Sequence, residues 1–206
     1  MHKIINMQNT LNTSPLSLGS LHTRRTPTSM LEQYFPDTAD QILQACFGSA
    51  ELVAYGVRQA LNEGLTPQVT AQLLSELESK PLSEQSYTRH VLHADPEGRF
   101  TVAALVWGPT HSSPVHAHHT WCAYRVLKGE LSESHYAWDS GTEKAFLCNK
   151  VKRTAGQSVC GNAGLELIHR LANESQQPAI SLHVYGVDAG SISTHVNLVV
   201  PWAEKM

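Results

Sequence analysis

The 206-residue chain has no apolar stretch approaching the roughly 20 residues that a membrane-spanning helix requires. It also lacks the apolar core of a secretory leader. Arg24-Arg25 is followed by Thr-Pro-Thr-Ser, where a twin-arginine leader needs a hydrophobic run. Its four cysteines, Cys46, Cys122, Cys148 and Cys160, form no CxxC pair and no matched spacing, which argues against a disulfide framework and a zinc knuckle. An excess of one charge is missing too. Fifteen Lys and Arg against eighteen Asp and Glu leave a net charge of −3, so nothing attracts nucleic acid or an anionic membrane. These absences predict a soluble, cytoplasmic protein.

What the chain does have is histidine, twelve in all. Residues 1–27 are polar and rich in Ser, Thr and Asn, and are expected to form a flexible arm. Over 28–80 apolar residues recur at three- and four-residue spacing, which predicts helices across Asp40–Phe47, Ala50–Leu61 and Thr66–Leu77. Thr66 followed by Pro67 reads as an N-cap and first turn. From 81 to 206 short strand-like runs take over, among them Phe100–Trp107, Trp121–Leu127, Ala179–Tyr185 and His195–Val200. The order predicts a mainly β, α+β chain: a jelly-roll barrel preceded by a helical region.

Two segments of the barrel carry the chemistry. His116-Ala-His118 places two imidazoles on one face of a strand, and Cys122 shares that face if the strand continues. His169, in Leu167–Asn173, would add a third from a facing strand. Three neutral imidazoles suit Zn, Cu, Fe or Ni and leave coordination positions open. Ser181, His183 and Tyr185 alternate along another strand, so a hydroxyl, an imidazole and a phenol can form a hydrogen-bonded row. Arg89 offers a fork matched to a carboxylate, with Tyr87 on the same face by parity. Trp107 and Trp121 read as barrel wall. His111 and His119 read as entrance or loop residues, and His90, His93, His135 and His195 as structural or exposed.

The spacing from His116 through Cys122 to Gly129, followed by His169-Arg-Leu-Ala-Asn173, resembles the two-part signature of the cupin double-stranded β-helix. Cys122 stands where most cupins place a metal-binding glutamate. With Tyr87-Thr-Arg89 and Ser181-Leu-His183-Val-Tyr185, the pattern is similar to the cysteine dioxygenase type I family of cupin thiol dioxygenases, in a bacterial-like form. The resemblance implies Fe(II) held by His116, His118 and His169. It further implies L-cysteine bound through thiolate and amine, its carboxylate held by Arg89 and Tyr87, and oxidation by O2 to cysteine sulfinate in cysteine catabolism. Ser181, His183 and Tyr185 would be the catalytic row.

Two branches of the resemblance stay open. Cys122 is either a buried free thiol or joined to Tyr185 by a thioether, and the loop from His118 to Cys122 is one residue shorter than the animal-type pattern. A sister branch oxidises 3-mercaptopropionate and carries an arginine soon after the tyrosine. Gly186 to His195 contains none, which favours cysteine. A non-catalytic metal-binding cupin is the remaining alternative. The oligomeric state is not legible.

Overall fold

A computed structural model describes residues 29–34, 36–49 and 52–204. The expected arm over 1–27 lies outside the described residues. Among the described residues four helices come first: α1 (Met30–Tyr34), α2 (Pro36–Cys46), α3 (Val53–Gly64) and α4 (Pro67–Leu77). Thr66 caps α4, its Oγ1 accepting from the Val69 amide at 3.4 Å. The three sequence-predicted helical stretches thus fall on α2, α3 and α4.

Eleven strands follow: β1 (Thr88–Ala94), β2 (Thr101–Trp107), β3 (His116–His118), β4 (Cys122–Lys128), β5 (Glu130–Asp139), β6 (Lys144–Thr154), β7 (Ser158–Gly161), β8 (Gly164–Ala172), β9 (Ala179–Tyr185), β10 (Asn197–Val199) and β11 (Trp202–Ala203). One sheet runs β1-β2-β9-β4-β7 and the other β10-β3-β8-β5-β6-β11. Between β2 and β10 the chain repeatedly crosses from sheet to sheet, the winding of a cupin-type double-stranded β-helix. The expected strand over His195–Val200 shrinks to the three residues of β10.

The helices cover the outside of the five-stranded sheet, and this explains why β2 and β9 read as continuous apolar runs. Val102, Ala104 and Val106 of β2 and Ile180, Leu182 and Val184 of β9 pack with Leu61, Leu65, Leu73 and Leu77 of the helical region. Alternate residues Ala103, Leu105 and Trp107 turn into the barrel. Both faces of these strands are therefore buried. Arg125 ties the layers together, its Nη1 donating to the carbonyls of Leu61 and Asn62 at 2.9 and 3.0 Å near the end of α3. Gly129 joins β4 to β5 with φ +74°, and a Cβ there would press on Ala179 at 3.1 Å.

Candidate metal centre and active site

The chain breaks between the first histidines and Cys122. Strand β3 ends at His118, and Cys122 opens β4 in the opposite sheet. The continuous strand expected through Cys122 does not form, yet Cys122 still faces the same cavity as His116 and His118. His169 also sits differently from expectation. Strands β3 and β8 do not face each other across the barrel; they are hydrogen-bonded neighbours, with His116 and His169 as direct cross-strand partners.

The three rings converge. Their centroids lie 4.7–5.1 Å apart, and one ring nitrogen from each lies within 4.8 Å of the others. All three are buried, at 5%, 2% and 2% exposure. The ring hydrogen bonds decide which nitrogens are free. His116 Nδ1 donates to the Pro114 carbonyl at 3.0 Å, and His169 Nδ1 to the Glu133 carboxylate at 2.7 Å. In each ring Nε2 is thus the nitrogen not engaged by these bonds. Among the described residues His118 Nδ1 is buried without a partner, and Nε2 meets Cys122 Sγ at 3.4 Å. Burial, reinforced by His169, pushes His116 down to about 3 and His118 down to about 2, so both are neutral near pH 7. Three buried imidazoles that bring one ring nitrogen each within 4.8 Å of the others suit a borderline transition metal such as Fe, Zn, Cu or Ni.

The polar row on β9 stands beside this cluster. Ser181 Oγ is 2.8 Å from His183 Nε2, and His183 Nδ1 is 3.0 Å from the Tyr185 hydroxyl. Its direction is set by Trp107, whose Nε1 reaches Ser181 Oγ at 2.9 Å. An indole N–H only donates, so Ser181 accepts from Trp107. Ser181 is fully buried, and its own proton finds no described acceptor except His183 Nε2. The imidazole, which burial keeps neutral, then carries its proton on Nδ1 and donates it to Tyr185. The Tyr185 O–H is left free to point into the cavity. Trp107 is thus more than barrel wall.

Cys122 and Tyr185 are cross-strand partners on β4 and β9, both lining the cavity. Burial pushes the Cys122 thiol up to about 12 and the Tyr185 phenol above its usual range, so both keep their protons. Thr120 Oγ1 donates to the Gly186 carbonyl at 2.7 Å, and the Gly186 amide to the Trp121 carbonyl at 3.1 Å. These bonds tie the start of β4 to the end of β9.

Arg89, on edge strand β1, extends over the Tyr185 ring with its guanidinium carbon 5.9 Å from the centroid. One Nη donates to the Ile192 carbonyl at 2.9 Å, while Nε is buried without a partner among the described residues. Tyr87, just before β1, lines the cavity and packs on Trp107 at 4.4 Å. Among the other histidines, His111 is a structural group whose Nδ1 accepts the Gly108 amide at 2.8 Å. His119 is exposed, and His93 is buried against Ser29 Oγ at 2.9 Å.

Sequence reading missed Glu133 and Tyr124. Glu133, in Ser132-Glu-Ser134 of β5, resembles any polar strand position, yet it has no exposed surface. Burial raises its carboxyl, but hydrogen bonds from His169 and Arg153 outweigh that and hold it at about 2. Tyr124 is stacked on His183, with centroids 5.1 Å apart and planes 15° apart.

The cysteine dioxygenase type I family profile matches residues 77–194. Cysteine dioxygenase type 1 of Homo sapiens is 31% identical over 102 residues, covering 48% of this chain and 50% of the relative. The Danio rerio protein of the same name is 29% identical over the same length and shares. The chain thus spans about half the length of these relatives. Among solved structures, a Thermus thermophilus protein, TT1209, is 18% identical with a TM-score of 0.43, covering 54% of this chain and 93% of that one. The profile match takes in Arg89, all three clustered histidines and the Ser181–Tyr185 row, and the chain belongs to the cysteine dioxygenase type I family.

Proposed function

We propose that this protein is a thiol dioxygenase that converts L-cysteine and O2 to cysteine sulfinate, with Fe(II) held by His116, His118 and His169. The observation that carries the reading is the convergence of the three imidazoles, His183 and Tyr185 on one cavity, with the Arg89 guanidinium beside it. Bound by these imidazoles, iron would act as a Lewis acid and relay electrons to O2 from the thiol sulfur, which is itself the reductant. The remaining work falls to the chain.

Arg89 holds the substrate carboxylate. Its guanidinium offers a fork matched to a carboxylate, and its buried Nε has no partner among the described residues. Tyr87 closes the same side of the cavity. Tyr185 turns its O–H toward the substrate, held by the line running from Trp107 through Ser181 and His183. Positioning thiol and O2 at one centre converts their encounter into an intramolecular step, and both oxygen atoms end on sulfur. Cys122 lies next to Tyr185, as a thioether between them would require.

Substrate choice is tested by supplying the iron-loaded protein with L-cysteine and with 3-mercaptopropionate, which share thiol and carboxylate and differ in the amine. The reading expects sulfinate mainly from cysteine. Preference for 3-mercaptopropionate would reassign the substrate, and no product from either would remove the enzymatic reading.

A further inference from the structure

Three neutral imidazoles bring no negative charge to a divalent ion, and Cys122 occupies the position from which a carboxylate could have come. One buried carboxylate nevertheless reaches the cluster. Glu133 Oε1 accepts from His169 Nδ1 at 2.7 Å, and Oε2 accepts from Arg153 Nε at 2.7 Å and lies 3.1 Å from His135 Nε2.

Strand order creates this contact. β5 lies between β8 and β6, with Glu133 opposite Leu171 on one side and Val151 on the other. From there its carboxylate spans the distance from His169 on β8 to Arg153 on β6. A buried ion needs a partner, and Arg153 alone would provide one. The other oxygen is committed to the histidine whose opposite ring nitrogen belongs to the cluster. A hydrogen bond of this kind fixes a metal ligand's tautomer and orientation and raises its basicity.

We propose that Glu133 is the positioning residue of the metal centre: it holds His169 in the Nδ1–H tautomer with Nε2 aimed at the ion. Through the imidazole it also lends the ion the negative charge that the three ligands lack. Arg153 draws part of that charge back through the second oxygen. The proposal rests on the three-histidine reading of the metal site.

The test is Co(II) binding by the metal-free chain, measured by chelator competition and by the visible absorption of the bound ion. E133Q/R153M removes the buried pair together, so that no unmatched charge remains to unfold the protein. It is expected to bind Co(II) about 10- to 100-fold more weakly than wild type, with a shifted absorption band and a far-ultraviolet circular dichroism spectrum like that of wild type. R153K, which keeps both the carboxylate and a cation against it, is expected to bind Co(II) as tightly as wild type. Wild-type affinity and spectrum in the double variant, or equal losses in both variants, would overturn the proposal. Failure of the wild type itself to bind Co(II) would instead overturn the metal site.

Discussion

The residues of this site are held by partners that the chemistry does not name. Arg89 is anchored by the Ile192 carbonyl, and its buried Nε has no partner among the described residues. Arg89→Ala is therefore expected to raise KM for cysteine on the order of tenfold to a hundredfold, the effect of losing a charge-assisted hydrogen bond. The change for cysteamine, a thiol without a carboxylate, should be small; steady-state oxygen uptake with both substrates checks this. Trp107 belongs to the same argument. Trp107→Phe keeps an aromatic ring against Tyr87 and deletes the N–H that orients Ser181. We expect kcat to fall on the order of tenfold with KM nearly unchanged, because the loss falls on Tyr185 orientation and not on binding. Equal changes in both constants would argue for a packing defect.

At the scale of elements, turns and pairings bring distant segments into register. The turn between β1 and β2 depends on Asp95, a buried residue whose Oδ2 accepts from the amides of Glu97 and Arg99 and from Arg99 Nε, while Oδ1 accepts from Arg99 Nη2 at 2.7 Å. The Arg99 hydrogen bond holds this carboxyl below the usual carboxylate range. A depressed folded value stabilises the fold above the unfolded pKa near 4 and loses that effect as pH falls through the folded value. Asp95→Asn should thus lower the thermal midpoint by a few degrees at pH 7, with the gap to wild type closing toward pH 3. A constant gap across that range would contradict the assignment.

Legibility in the sequence follows the same division. The helices and strands β2, β4 and β9 were readable because local spacing and long apolar runs report burial directly. The pairing of β3 with β8 was not, because register between segments some fifty residues apart is set by the whole barrel. Glu133 was invisible for a related reason. Ser132-Glu-Ser-His135 reads as a solvated strand until β8 and β6 close on both sides of it.

For the whole molecule, two layers share one set of strands. Helices α2 to α4 bury the outer face of the five-stranded sheet, and the inner face supplies Trp107, Cys122, Tyr124 and the Ser181–Tyr185 row. The second sheet supplies the three histidines and Glu133. The site exists only where both sheets meet, so its chemistry is a property of the closed barrel. Among the described residues no helix is long and apolar enough to cross a membrane. The most direct test is oxygen uptake by the iron-loaded chain with L-cysteine, run beside His169→Ala. The wild type should consume one O2 per cysteine sulfinate formed, and the variant should show neither bound iron nor uptake above background. Equal uptake by both proteins would contradict the proposed function.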